Sequence, residues 1–325
     1  MSPVPVTMPS WEEYMNKLKA WLESIDCEGE LEAVSTDASF RKYYRLKSSM
    51  HSGMVMDASA QKESLAPYIE IEHRLYEAGV RVPKINTYNR AEGFLFMEDI
   101  GNRHLADMID DDYEHFYRQA IDTIVKMQNT DREDLPLYDA AFLRFEMDLM
   151  QEWYLEKYLG LTLDDTQKQT ISSALKYITE EVLVQPQDVF VHRDYHSRNL
   201  MISPCDEKIV VIDYQDARVG AVTYDLVSLL RDVYVELDPY DVKQMALSFR
   251  DAKGLDVDDE TFMRWFDLMG LQRHIKILGI FSRLHLRDGK EGYLNDIPLT
   301  LKYIVDVGSK YEEIQDLVRL LEKLK

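Results

Sequence analysis

The sequence predicts an α+β chain of two lobes, a small antiparallel β-sheet lobe over residues 1–98 and a mainly helical lobe over 99–325. Short strand-like segments crowd ahead of residue 99. Helical periodicity dominates beyond it, interrupted by one β and loop island at 189–213. At 325 residues the chain can bury two ordinary cores, and its 46% hydrophobic and 30% charged composition is that of a folded protein.

The elements follow in order. The stretch 10-SWEEYMNKLKAWLES-24 reads as an amphipathic helix, capped by Ser10 with Glu13 at the capping-box position. Strands follow at 31-LEAVST-36, 40-FRKYYRLK-47 and 53-GMVMDA-58. A helix over about 62–78 stops at Gly79, a natural C-cap glycine. Strands 82-VPKINTYN-89 and 93-GFLFMED-99 complete the sheet. Residues 104–185 are helical, including 114–129 and 142–160, and helices return at 222–237, 261–285 and 310–324.

The net charge of −21 makes the mean surface repel nucleic acid and anionic membrane, so a phosphate-bearing ligand needs a local cationic patch or a metal. Cys27 and Cys205 lack zinc-like or disulfide spacing and read as reduced thiols. The start MSPVPVTMPS lacks the features of a secretory signal, and no run reaches the roughly 18 apolar residues of a membrane span. The chain is expected to be cytoplasmic and monomeric, with small-molecule partners and neither nucleic acid nor membrane.

The densest chemistry lies in 189-VFVHRDYHSRNLMI-202, whose polar residues suit a metal-hydrolase cluster, a phosphoryl-transfer loop or a polar turn. Strands at 200–202 and 208–212 are joined by the turn-forming 203-SPCDE-207. A hairpin centred on Asp206 sets Asn199 opposite Asp213, with Cβ atoms about 4.5–5.5 Å apart. An amide oxygen and a carboxylate so placed suit one Mg²⁺ ion. Asp194, on the loop entering the hairpin, can accept a proton from a substrate hydroxyl. Base, amide and carboxylate are the parts phosphoryl transfer needs, since that chemistry is mostly positioning and charge neutralisation. A zinc site would need three or four soft or imidazole ligands, and no second cluster accompanies His192 and His196. His192 reads as a structural histidine that ties the loop down.

The spacing His192-Arg193-Asp194-x-x-x-x-Asn199, followed by Ile212-Asp213-Tyr214, resembles the catalytic loop and metal-binding aspartate of the protein-kinase-like fold. The form HRDYHSRN…VIDYQDA is more similar to the aminoglycoside phosphotransferase and choline kinase branch. The blocks TDASFRKYYRL, FLFMEDIG and LQRHIKILGIFSRLHLRDGKEGYLNDIP are similar to the bacterial N-acetylmuramate/N-acetylglucosamine anomeric kinases of cell-wall recycling. The resemblance implies an ATP- and Mg²⁺-dependent phosphotransferase acting on the anomeric hydroxyl of an amino sugar. It implies Asp194 as catalytic base, Asn199 and Asp213 as Mg²⁺ ligands, and Asp225 as the brace of the loop.

The small lobe departs from that family's usual phosphate clamp. Residues 36–45 contain no glycine, and 53-GMVMDA-58 has methionine or aspartate where a strand lysine is usual. Ser39 and Arg41 are the expected replacement contacts to phosphate, with Lys42 and Arg45 adding charge. Met97 and Glu98, at the crossover between lobes, are the expected contacts to adenine. Candidate substrate contacts are His196, Arg198, Glu152, Arg273 and His274. The cationic stretch Arg273, His274, Lys276, Arg283 and Arg287 is either a solvated face or a site for a sugar acid. Two rival functions stay open, phosphorylation of an aminoglycoside or other small hydroxyl compound, and nucleotide-dependent regulation without catalysis.

Overall fold

The computed structural model describes residues 11–34, 40–48, 52–108 and 113–323, so Ser10 and Ser39 lie outside the described residues. The chain forms two compact units. One comprises Met1–Ile69 with Pro83–Asp99, and the other Glu70–Val82 with Ile100–Lys325.

The first unit carries helix α1 (Trp11–Ser24) and strands β1 (Glu30–Val34), β2 (Lys42–Lys47), β3 (Gly53–Asp57), β4 (Ile85–Asn89) and β5 (Phe94–Met97). They form one antiparallel sheet in the order β1-β2-β3-β5-β4. Strand β2 alternates, with Tyr44 and Leu46 buried and Lys42 and Lys47 exposed. Strand β5 is apolar and buried at all four positions because it lies inside the sheet, between β3 and β4. Leu18, Trp21 and Leu22 of α1 pack on Tyr44, Leu46, Val55, Phe94 and Phe96. Each such side chain stabilises the unit by roughly 1.5–3 kcal/mol through burial.

Helix α2 (Leu65–Glu77) starts later than its periodicity suggests, because Ser59–Ser64 forms a 3-10 turn first. Its end is as predicted: Gly79 takes φ +74°, and the Val80 amide donates to the Leu75 carbonyl.

The second unit contains α3 (Tyr113–Met127), α4 (Ala140–Leu149), α5 (Asp165–Val182), β6 (Val189–Val191), β7 (Leu200–Ile202), β8 (Ile209–Val211), β9 (Arg218–Gly220), α6 (Tyr224–Leu230), α7 (Pro239–Lys253), α8 (Asp259–Asp288), α9 (Ile297–Gly308) and α10 (Gln315–Glu322). No helix among the described residues is long and apolar enough to cross a membrane. Strands β7 and β8 pair as a hairpin, and β6 pairs with β9. The β9 strand was not anticipated, since three residues are too few to show a period of two.

Two helices depart from the sequence expectation. The helix expected over 222–237 ends at Leu230, where Arg231 leaves helical geometry (φ −122°, ψ 52°). Arg231 instead donates to the buried Asp267 carboxylate, and Asp232 accepts the Ser197 amide. The single helix expected over 142–160 is α4 followed by a π-helical segment, Met150–Tyr158. The backbone of α8 approaches closely at this junction. A Cβ added to Gly279 would lie 2.4 Å from the Leu149 carbonyl carbon. Gly279→Ala must therefore push α8 off α4, and a destabilisation of roughly 1–3 kcal/mol is expected. An unchanged melting temperature would contradict this packing.

Helix α8 runs through the middle of the unit, and Arg273, His274 and Lys276 are each no more than 2% exposed. The first half of the cationic stretch is thus no solvated face, whereas Arg283 is half-buried and Arg287 is exposed and pairs with Asp288. His274 donates from Nε2 to the Arg231 carbonyl (2.9 Å) and stacks on Tyr303, a core position that takes it off the substrate candidates. Burial, with Arg273 and Arg231 nearby, pulls its pKa down to about 3. The folded form therefore holds a neutral imidazole that the unfolded chain protonates near pH 6.5. The sign follows: stability is fully present above pH 6.5 and falls by about 1.4 kcal/mol per pH unit below it. Thermal melts of wild type and His274→Asn between pH 7 and pH 5 should show a shallower acid loss in the variant. Parallel losses would assign the acid sensitivity elsewhere.

Candidate active site

The β7–β8 hairpin brings the site together, with one correction to its register. Leu200 pairs with Val211 and Ile202 with Ile209, so the turn centres between Cys205 and Asp206 rather than on Asp206. Asn199 consequently faces Ile212, whose amide donates to the Asn199 carbonyl (3.1 Å). Asp213 lies one residue farther along and returns to Asn199 by taking φ +63°. The Asn199 amide nitrogen is 3.5 Å from Asp213 Oδ2 and donates to the Asp194 carbonyl at 3.0 Å. The three residues singled out by spacing are contiguous.

The loop before the hairpin is held from several sides. Asp225, buried at the start of α6, accepts the amides of His192 (2.8 Å) and Arg193 (3.0 Å). Burial pushes its carboxyl up to about 6 despite those donors. His192 accepts the Asp194 amide on Nδ1 (3.2 Å) and donates from Nε2 to the Ile212 carbonyl (3.0 Å). That pattern requires the neutral Nε2–H tautomer and ties the loop to the strand leading into Asp213. Arg193 occupies the left-handed region (φ +81°), and its guanidinium donates to Glu146 at 2.8 Å. Ser197 donates through its amide and hydroxyl to Asp232, which secures the turn ahead of Asn199.

Beneath Asp194 lies a charge cluster that the sequence reading did not assemble. Glu146 on α4 is 4% exposed and meets Arg193, Lys276 (3.3 Å) and the Tyr138 hydroxyl. Lys276 also donates to the Tyr224 hydroxyl at 3.1 Å. Arg273 donates to the Arg193 carbonyl (3.1 Å) and stands 3.9 Å from Asp194 Oδ1. Burial acts to raise the Glu146 carboxyl, but Lys276 and Arg193 outweigh it and hold it below its ordinary value. Burial likewise acts to raise Asp194, and Lys276, Arg273 and Arg193 hold it well below the usual carboxylate range. Asp194 is therefore ionised at neutral pH while 42% of its side chain stays accessible. One signal for Glu146 was present in the sequence. It sits three residues after Leu143 and four before Met150, on the apolar face of α4, where an acid needs a buried partner.

Asn199 and Asp213 fit a hard cation. The Asn199 amide nitrogen faces both the Asp194 carbonyl and Asp213 Oδ2, so the amide must turn to share a cation with that carboxylate, while Gln215 donates to Asp213 Oδ1 (3.0 Å). One amide oxygen and one carboxylate suit Mg²⁺, which keeps waters and recruits phosphate oxygens.

The remaining candidates belong to both units. His196 packs edge-on against Tyr234, and exposed Arg198 lies over the same ring. Glu152 pairs with Lys157 on the π-helical segment. In the first unit, Arg41 is 5% exposed, with its guanidinium 5.0 Å from the Phe40 ring and 5.6 Å from that of Tyr68. Arg45 forms a two-point pair with Asp99. Met97 is buried beside the Tyr68 hydroxyl, and the Glu98 amide donates to the Lys84 carbonyl (2.9 Å). In β3, Asp57 is 3% exposed; burial pushes its carboxyl up, and its Oδ1 accepts the Ser59 amide.

Residues 30–266 match the model of the phosphotransferase enzyme family. A Pseudomonas putida protein named N-acetylmuramate/N-acetylglucosamine kinase is 40% identical over 98% of each chain. A Neisseria meningitidis protein of the same name is 37% identical over 95% of each. The fold is also similar to that of a choline kinase from Streptococcus pneumoniae, with a TM-score of 0.67 at 12% identity over 90% of this chain and 99% of that one. The chain belongs to the phosphotransferase enzyme family.

Proposed function

We propose that this enzyme transfers the terminal phosphoryl group of ATP, with Mg²⁺, to the anomeric hydroxyl of N-acetylmuramate or N-acetylglucosamine. The observation that carries the reading is near-full-length identity of 37–40% to two kinases of that name. The ionised, accessible Asp194 beside Asn199 and Asp213 supports it.

On this reading the sugar hydroxyl docks on the Asp194 carboxylate. Its oxygen attacks the terminal phosphorus, the bond from that phosphorus to the bridging oxygen breaks, ADP leaves, and the hydroxyl proton passes to Asp194. A carboxylate held at low pKa is a weak base in the ground state. Its first task is to orient the hydroxyl, and the proton moves late, when bonding to phosphorus has made that hydroxyl more acidic. An anomeric hydroxyl helps, because the ring oxygen already withdraws electron density from it. Asn199 and Asp213 would hold Mg²⁺, which neutralises charge on the phosphate oxygens. Arg273, 3.9 Å from Asp194 Oδ1, and Lys276, both buried, act on the reaction by holding the Asp194 charge.

The test is ³¹P NMR of the enzyme with ATP, Mg²⁺ and each sugar. An acid-labile sugar 1-phosphate is expected from both. ATP consumed only with a different hydroxyl compound, or bound without turnover, would overturn the assignment.

A further inference from the structure

Within the second unit, the face of the loop beyond Asp194 carries a cation with no acid bound to it. Arg198 is exposed, and its guanidinium lies 3.8 Å from the centroid of the Tyr234 ring. Among the described residues it makes no ion pair within 4 Å. Its carbonyl accepts from His104 Nδ1 at 2.8 Å, so the backbone is anchored and the head is pre-oriented by the ring. Half-buried Asp296 senses the Arg198 charge without pairing to it. His196 meets the same Tyr234 ring edge-on, and its buried Nδ1 has no hydrogen-bond partner. His196 Nε2 is 3.4 Å from the Asn199 amide, which also contacts the Asp194 backbone. This group therefore flanks the proposed phosphoryl-transfer residues.

Its chemistry distinguishes anionic from neutral acceptors. A net charge of −21 repels an anionic sugar, so turnover of a sugar acid calls for a local cation. Arg273 and Lys276 do not fill that role, since both are buried and committed to Arg193, Asp194 and Glu146. Arg198 offers an accessible planar fork matched to a carboxylate. We propose that Arg198, on its Tyr234 platform, binds the lactyl carboxylate of N-acetylmuramate and sets the preference for the sugar acid over N-acetylglucosamine. This rests on the reaction proposed above.

The experiment compares kcat/KM for the two sugars in wild type, Arg198→Met and Arg198→Lys. Methionine keeps an apolar stem over Tyr234 and removes the charge. The ratio of N-acetylmuramate to N-acetylglucosamine should fall roughly tenfold or more in Arg198→Met. The loss should sit mainly in KM for the acid, and Arg198→Lys should retain more of the ratio. Equal losses for both sugars, an unchanged ratio, or a lysine variant no better than methionine would each overturn the assignment. A wild-type enzyme that phosphorylates neither sugar would instead overturn the reaction on which it rests.

Discussion

Asp194→Asn should lower kcat on the order of 10²–10⁴-fold, the usual contribution of a positioned proton acceptor. The substitution preserves shape and the loop's backbone contacts, since the Asp194 amide still reaches His192 and its carbonyl still accepts from Asn199. KM for ATP should move little, because the carboxylate acts on the acceptor hydroxyl. The measurement is steady-state kinetics beside a thermal melt, so that lost activity is separated from lost fold. A folded Asp194→Asn enzyme with near wild-type kcat would sink the role given to this residue.

The second large effect is expected at Glu146, which touches no proposed substrate. Glu146→Gln leaves Arg193 and Lys276 facing each other in a nearly dry site, with side chains 16% and 3% exposed. Removing one partner of a buried ionic group typically costs about 3–5 kcal/mol, because the charge left behind is neither solvated nor paired. Arg193 should also lose the anchor of its left-handed backbone, so kcat should fall along with the melting temperature. The double variant Glu146→Gln/Lys276→Met removes the stranded ammonium and should recover part of the stability. Unaltered stability in Glu146→Gln, or no recovery in the double variant, would show that these charges are not coupled as drawn.

Much of the architecture was legible because it rests on local patterns. Alternation in 42-KYYRLK-47 and the apolar run 94-FLFM-97 mark strands, and the Gly79 stop marks a helix end. The spacing of Asp194, Asn199 and Asp213 also survived a one-residue error in register. Asp213 adopts a left-handed backbone that returns it to Asn199, a conformation hairpin arithmetic does not contain. The early end of α6 at Leu230 was not legible, because Arg231 and Asp232 are helix-compatible residues whose partners, Asp267 and Ser197, are distant in sequence.

The cationic stretch of α8 marks the boundary between the two kinds of information. By itself the sequence determined most of the elements, the spacing of Asp194, Asn199 and Asp213, and an unusual density of positive charge at 273–287 in an acidic chain. Only the tertiary structure decided that Arg273 and Lys276 are buried against Asp194 and Glu146, that His274 is a neutral core histidine, and that Arg198 is the exposed cation beside the loop. The physical reason is that periodicity reports which residues share a helix face, whereas a charge takes its meaning from partners tens of residues away. Whether an arginine steadies an aspartate or reads a substrate depends on which of its neighbours is already charged.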